Sequence, residues 1–561
     1  MSNDTEESSL NEDLLRLNVH SDVELQTDPP QDAQDDSSKS LYKRYRQHGK
    51  LEDLERCIIK SREEVRLAGD NDQRTARALQ NLAFVLQARF ESCGRQSDLE
   101  EVITSYQHIL ELTPDGDANM PSRLSDLGIA LFRKFESLGR SISDLQDAIA
   151  HHTRAIELTP EGSPDMPMWL SNLGNALLRR FESLGSFIDL QNAIIHQTRA
   201  LELIPKGNTR ISLLLNNLGC ALKARFESSG STNDLQDVVS HFTRAIELTP
   251  EDSPDMPMLL DSLGHALRAR FEFSGDSVDL QDAIVHHTRA VELTSEGSPD
   301  MILRLNNLGI ALWTQFEVSG NSIGLQDGFT YFRRAIDLAP EGSSHLPLLL
   351  SNFGIVLRTR FESSGNSADL QEAIEHHTRA LELTPDGSIR MHVRLNNLGN
   401  ALWMRLQFSE SSVDLRDAIA HYARAIELTP EGSPYMGKQL HNLGNALHMR
   451  FQVLGSSSDL SDAIAHYCHA IQITPEGSTD MPIFFSSLGR ALTTQFEYSG
   501  SPVDLQDAVA QDIRAIELTP EGSPSMPPRL YSLSCALGLR YKSSKDSTDL
   551  QESVASVSRA I

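Results

Sequence analysis

One Asp-Leu step recurs along the chain, with its leucine at 54, 99, 145, 190, 235, 280, 370, 415, 460, 505 and 550, and Gly-Leu fills the slot at Leu325. The interval is 45 residues every time except one of 46. At such a period each copy is one supersecondary unit that cannot bury its apolar face alone and must lean on its neighbours. This feature predicts one elongated array with a continuous core, where an ordinary chain of 561 residues would hold about three or four domains.

The unit from Ser163 to Pro205 serves as template. Ser163-Pro164 offers an N-cap followed by proline at the first helical position. Leu170, Leu173, Leu177 and Phe181 then form an apolar stripe at helical spacing. Gly185 and Ser186 end that helix, and Asp189 is expected to cap a second one, with an acid or amide three residues later. Leu190, Ala193, Ile194, Ala200 and Leu201 make the second stripe, and Pro205 with Gly207 turns the chain onward. Small residues mark the contact between helices: Gly174 and Ala176 on the first, Ala193 and Ala200 on the second.

The array begins part-way through a unit. LYKRYRQHGKLEDL at 41–54 aligns without gaps to LLRRFESLGSFIDL at 177–190, which puts Tyr45 in the slot of Phe181. Ahead of it, residues 1–36 hold eleven acids against one base, Arg16, with too little apolar surface to offset ordering, so a disordered acidic tail is expected there. The last unit stops at Ile561, mid-helix by alignment with Ile516, which reads as a chain cut short of its full length.

A net charge of −28 sets the chain against phosphate backbones and anionic membranes and favours neutral or basic partners. The five cysteines form no CxxC pair, so neither zinc nor a disulfide framework is expected, and a reducing compartment, cytoplasmic or nuclear, fits. No apolar run approaches a membrane span.

NLGNAL at 172–177, with Ala193, Ala200 and Pro205, resembles the tetratricopeptide repeat, whose pattern runs through L-G-x-x-Y, A, F, A to a closing proline. Seven extra residues between the glycine and the second-helix alanine, and four after the proline, stretch the common 34-residue repeat to 45. The resemblance implies an all-α TPR-like solenoid, a right-handed superhelix of helical hairpins with a concave groove, spanning 37–561 in about twelve units, the first and last partial. LSNLGNALLRRFESLG with DLQNAI and RAIELTPEGSP is more narrowly similar to basidiomycete fungal arrays that often precede a CHAT domain, a caspase-like cysteine protease fold.

Asparagine recurs one residue before the Leu-Gly step, at Asn81, Asn172, Asn217, Asn307, Asn352, Asn397 and Asn442, and just after the glycine at Asn175, Asn400 and Asn445. In the resembled family these positions face the groove, where an amide can both donate to and accept from an extended peptide. The other reading is that they bond between neighbouring helices and set the repeat geometry. The family's carboxylate clamp needs a lysine one residue before the asparagine. Ser171, Asn216, Asp261, Asn306, Ser351, Asn396 and His441 stand there instead, so that recognition is excluded.

A basic row, Arg89, Lys134, Arg180, Arg225, Arg270, Arg360, Arg405, Arg450 and Arg540, reads as paired with nearby acids such as Glu182 or the Asp189 series rather than as a ladder for an acidic ligand or nucleic acid. Histidines at 151, 196, 241, 286, 376, 421 and 466, with His152, His287 and His377 beside three of them, lack the spacing of a metal site and read as copies of one ancestral residue. No nucleophile, base and orienting group converge, and no phosphate loop exists. The expectation is a non-catalytic protein–protein interaction scaffold without cofactor or metal. It takes a protein or peptide along the groove, and neither nucleic acid nor membrane. The rival reading is the sensor half of a CHAT-type protease whose catalytic domain lies outside these residues. In Gly324 and Gly328 one unit carries glycines where its siblings have Asp and Ala, which predicts a softer joint near 318–335. If shared seams hold the array together, an excised 45-residue unit is an unstructured peptide by circular dichroism, whereas three joined units are helical; a lone unit that melts cooperatively refutes this.

Overall fold

The computed structural model describes residues 37–560 apart from 49, 70, 138–140, 230, 321, 344, 386, 389, 410, 431, 434 and 476, and apart from the side chains of 47, 48, 229, 232, 322 and 323. The acidic stretch 1–36 lies outside the described residues. Among those described there are 24 α-helices and no strand, paired as antiparallel hairpins. The architecture is an all-α array of helical hairpins. It forms two compact units, one with fourteen helices ending before His345 and one with ten helices beginning at Leu346.

The template hairpin joins Met166–Leu184 to Phe187–Leu203. The first helix starts two residues later than Ser163-Pro164 implies: Ser163 Oγ instead accepts from the Asp165 amide (3.3 Å), and Pro167 occupies the first turn. Gly185 ends the helix as expected, in the left-handed region at φ 71°, its amide donating to Phe181 O (2.7 Å). The alanines Ala176, Ala193 and Ala200 are fully buried in the seams. In the first unit one core cluster runs from Leu41 to Ala176 and a second from Leu173 to Ala283; in the other unit a core runs from Ile374 to Ala508. Each spans several hairpins, which is the sharing of apolar faces that a repeat of this period requires.

Asp189 does not cap the second helix. Ser186 is the N-cap residue, and Asp189 lies within the first turn. Its carboxylate faces back across the turn to Arg180, taking Nε at 2.8 Å and Nη2 at 2.6 Å. The fork-to-fork pair recurs at Arg89–Asp98, Arg225–Asp234, Arg270–Asp279, Arg360–Asp369, Arg405–Asp414 and Arg450–Asp459, with Arg540–Asp549 and Lys134–Asp144 as variants. The nine-residue offset joins a residue just ahead of the last turn of one helix to the first turn of the next, and a planar guanidinium meeting a carboxylate fixes the angle between them. The basic row is therefore structural.

A second registration device sits at mid-hairpin. A Cβ added to Gly174 would come within 2.7 Å of Gln197, and at Gly128, Gly219, Gly264, Gly309, Gly354, Gly399, Gly444 and Gly489 it would come within 2.4–2.9 Å of His152, Phe242, His287, Phe332, His377, Tyr422, Tyr467 and Asp512. Here glycine serves close approach: the first-helix backbone is the floor on which one large second-helix side chain lies. His152, His287 and His377 are thus buried packing groups rather than idle copies.

The hairpin Asp300–Ser319 with Ser322–Leu338 lacks the clamp on both sides, since Gln315 replaces the arginine and Gly324 the aspartate. A Cβ at Gly324 would meet Leu312 O at 3.1 Å and Gln315 Oε1 at 3.3 Å, so an aspartate fits with small adjustments. Restoring both partners, Q315R with G324D, is expected to slow amide exchange across 322–338 by more than the two single changes combined, at a coupling of about 0.5 kcal/mol. Strictly additive exchange rates refute the clamp as a determinant of local stability.

Candidate functional site

The asparagines before Leu-Gly reach sideways to the preceding unit. Asn172 Nδ2 donates to Ser125 Oγ (3.3 Å), Asn217 to Ser171 Oγ (3.0 Å), Asn307 to Asp261 Oδ2 (2.8 Å), Asn397 to Ser351 Oγ (3.2 Å) and Asn442 to Asn396 Oδ1 (3.0 Å). Where serine replaces asparagine the direction of giving is kept, with Ser262 Oγ donating to Asn216 Oδ1 (2.7 Å). Asn172, Asn217, Asn307, Asn352 and Asn397 are buried. The amides of Asn172, Asn217, Asn307 and Asn397 are committed to the stacking of first helix on first helix, while Asn442 is half-buried.

The asparagines after the glycine are held from within the hairpin. Gln197 Nε2 donates to Asn175 Oδ1 (2.6 Å), Tyr422 OH to Asn400 Oδ1 (2.9 Å) and Tyr467 OH to Asn445 Oδ1 (2.8 Å). The donor is always the residue lying on the glycine, 22 positions downstream. Where the first position is apolar, Ile310 for example, the second is Phe332, and both are buried. In these four units two sequence positions vary together, a signal present in the sequence and missed by reading the histidine-bearing helix one column at a time; the match is not kept where Ile129 and Ile355 face His152 and His377. Asn175 is fully buried, whereas Asn400 and Asn445 are half-buried.

Asn81 is half-buried in the first compact unit, and Asn396, Asn400, Asn442 and Asn445 are half-buried together on the first helices Met391–Ser409 and Met436–Leu454 of the second. In the template helix every residue from Pro167 to Arg179 is buried. Here Trp403, Met404, His448 and Met449 are half-buried, and on the next first helix, Met481–Ser499, Arg490 is exposed. Asn442 Nδ2 also contacts Asn400 Oδ1 (3.1 Å), His441 Nε2 lies 2.9 Å from Ser487 Oγ, and His448 Nε2 lies 3.1 Å from Thr494 Oγ1. Arg490 Nη2 donates to Ser487 Oγ at 3.2 Å. Burial, with the nearby Arg490 charge second, pushes both His441 and His448 down to about 4, so both rings are neutral at pH 7. The result is a linked amide, imidazole and guanidinium surface edged by an indole and two thioethers. It offers donors and acceptors to a chain laid over it. Trp403, His441, His448 and Arg490 were not among the expected site residues; only their place in or beside the asparagine columns marks them.

Other constellations are closed. Asp261 Oδ1 lies 2.5 Å from His287 Nδ1, but Nε2 of that ring has no hydrogen-bond partner and lies against Gly264, so a substrate has no room. Cys220 is fully buried and its thiol is pushed up to about 12 by burial, while Cys535 is exposed. Among the described residues no group of three His, Cys, Asp or Glu gathers as a metal cage, and no helix is long and apolar enough to cross a membrane. All five cysteines are unbridged.

No family model and no curated protein matches the sequence. Among solved structures it is similar to the human IFIT1 dimer with PPP-AAAA, at 14% identity over 85% of this chain and 89% of that one, with a TM-score of 0.46. It is also similar to Cut9 or Hcn1 in the APC/C Cut9–Hcn1 hetero-tetramer, at 14% identity over 93% and 96%, with a TM-score of 0.39.

Burial pushes His152 and His377 down to about 3. The unfolded chain binds protons at these histidines below about pH 6.5 while the folded chain does not. Their contribution is therefore whole above that pH and lost as pH falls toward 3. Asp126 and Asp512, pushed up to about 7 by burial, act with the opposite sign, favouring the fold as pH falls from 7. H152Q with H377Q, which places the native Gln197 side chain opposite Gly128 and Gly354, is expected to move the acid-unfolding midpoint down by about half a pH unit. An unchanged midpoint by circular dichroism removes these two rings as the acid trigger.

Proposed function

We propose that the chain is a non-catalytic scaffold that holds a protein or peptide segment along the first-helix face of residues 391–499. The observation that carries this reading is the half-buried run of Asn400, Asn442 and Asn445 with Trp403, beside the exposed Arg490, on helices whose counterpart in the template is buried from Pro167 to Arg179. An extended segment brings its own alternating N–H and C=O groups, and primary amides answer both. The indole and the two methionines supply apolar area that adapts to more than one side chain. The buried asparagines, from Asn172 to Asn397, serve the same face at one remove, by fixing the spacing between first helices. The reducing, cytoplasmic setting we assign agrees with five unbridged thiols.

Peptides selected by display against the full-length chain provide the test. N400A with N445A, its helicity checked by circular dichroism, is expected to weaken the selected peptides about tenfold, since two hydrogen bonds of about 0.5–1.5 kcal/mol each are lost. N172A with N217A should change affinity less than it changes thermal stability. Selected peptides indifferent to N400A/N445A place the binding elsewhere on the molecule.

A further inference from the structure

In the second compact unit the two helices of each hairpin carry opposite charge. Its five first helices hold ten Lys and Arg against two acids, Glu362 and Glu497. Its five second helices hold five against fifteen. Four of the ten cations, Arg360, Arg405, Arg450 and Arg540, are neutralised by the clamp aspartates. Two others stand on the half-buried face. Lys438 has Asp480 at 3.6 Å, both side chains about a third exposed, a pairing that water screens to little. Arg490 is exposed and makes no ion pair among the described residues; its charge acts on Asp512, a carboxyl that burial pushes up to about 7 and that takes the Ser532 hydroxyl, and Arg490 occupies the position held by Asn400 and Asn445 in the two preceding units.

We infer that this face takes the carboxylates of an acidic, extended peptide segment of a partner protein, with Arg490 as anchor and Lys438 as a second cation. The inference rests on the reading above and adds to it the charge of the ligand. A guanidinium binds a carboxylate through two parallel N–H donors, and here Arg490 and the imidazole of His441 meet at Ser487 Oγ. Asn442, Asn445 and His448 stand beside it to answer the main chain of the same segment. A nucleic-acid strand is the less suited occupant. It gains affinity by releasing counterions from a run of phosphates against a run of cations, and this face offers two such cations on a chain of net charge −28. The negative second helices and the positive first helices also orient an acidic segment toward one side of the stack and away from the other.

Fluorescence anisotropy of the full-length chain tests this with a labelled twelve-residue peptide bearing Glu at alternate positions and a counterpart bearing Gln. The acidic peptide is expected to bind about tenfold more tightly than the Gln peptide. R490A should remove most of that difference, R490K should keep part of it, and raising the salt from about 50 to 300 mM should reduce it. Equal affinity for the two peptides, or R490A binding as well as the parent chain, overturns the inference. A Gln peptide that binds well, is lost in N400A/N445A and ignores Arg490 keeps the face as a docking site and removes its preference for acid. A labelled twelve-nucleotide RNA that outcompetes the acidic peptide in an Arg490-dependent manner reassigns the face to phosphate. Binding that appears only after deletion of residues 1–36, eleven acids and one arginine, assigns the face to the chain's own segment and overturns the partner reading.

Discussion

The stack depends on how closely the two helices of a hairpin approach at one glycine. With no Cβ, the first helix lets a whole side chain of the second lie on its backbone, and in nine hairpins an added Cβ would fall inside 3 Å of that side chain. Close packing in protein interiors leaves no slack to absorb such a clash. Once that distance is set, the nine-residue Arg–Asp clamp can close across the turn, and the alanines meet at the seam. The clamp adds direction more than energy, because most of its arginines are partly exposed. Glycine sets the distance and arginine sets the angle, so the units stack in register although the large residue on the glycine varies from Gln to His, Phe, Tyr and Asp.

That varying residue is where an otherwise uniform array acquires local character. A ring or amide on the glycine floor must match the first-helix residue next to that glycine, since a polar group enclosed without a partner is costly. Gln197 and Tyr467 meet asparagines, and Phe332 meets Ile310. His152 and His377 meet isoleucines, Ile129 and Ile355, with no hydrogen-bond partner at the ring nitrogens Nδ1 and Nε2 of the first and Nδ1 of the second. Those two hairpins carry the strain of buried, partly unsatisfied imidazoles, which is why their rings resist protonation so strongly.

Much of the fold was legible in the sequence because its causes are periodic. The 45-residue interval, the leucine stripes, the helix-ending Gly185 and the buried Ala193 and Ala200 are each repeated, and repetition separates signal from chance. Helix starts were read less well. Ser163-Pro164 and Asp189 look like caps in isolation, yet Ser163 takes the Asp165 amide ahead of the first helix, and the Arg180 guanidinium takes the Asp189 carboxylate that capping would use. The asparagine columns were visible, but not which of them lie inside. An amide that spans two helices and one that faces a groove have the same sequence signature, and only the burial of Asn172 and Asn217 against the half-exposure of Asn400 and Asn445 separates them.

The separation of charge between layers explains how so acidic a chain can carry a basic face at all. Acids in the first turn of a second helix meet its positive dipole end, and the arginine nine residues earlier is placed by the same carboxylate, so the two are held where they stand before any ligand is considered. Duplication copies that polarity into every unit. In most units the glutamate that follows the conserved phenylalanine position, such as Glu182, Glu227 or Glu272, returns a negative charge to the first helix, and a cation one turn earlier answers it, as in Arg179–Glu182 and Lys223–Glu227. In Met391–Ser409 and Met436–Leu454 that glutamate is replaced by Gln407 and Gln452. Those helices also carry Trp403-Met404 and His448-Met449 where the answering cation stands elsewhere, while Arg405 and Arg450 keep their clamp aspartates, so both members of that ion pair are gone together. The same unit-by-unit drift that merely varied the packing elsewhere has, at this point in the array, exchanged an ion pair for an indole, an imidazole and two thioethers on a half-exposed face, with Arg490 exposed on the next first helix.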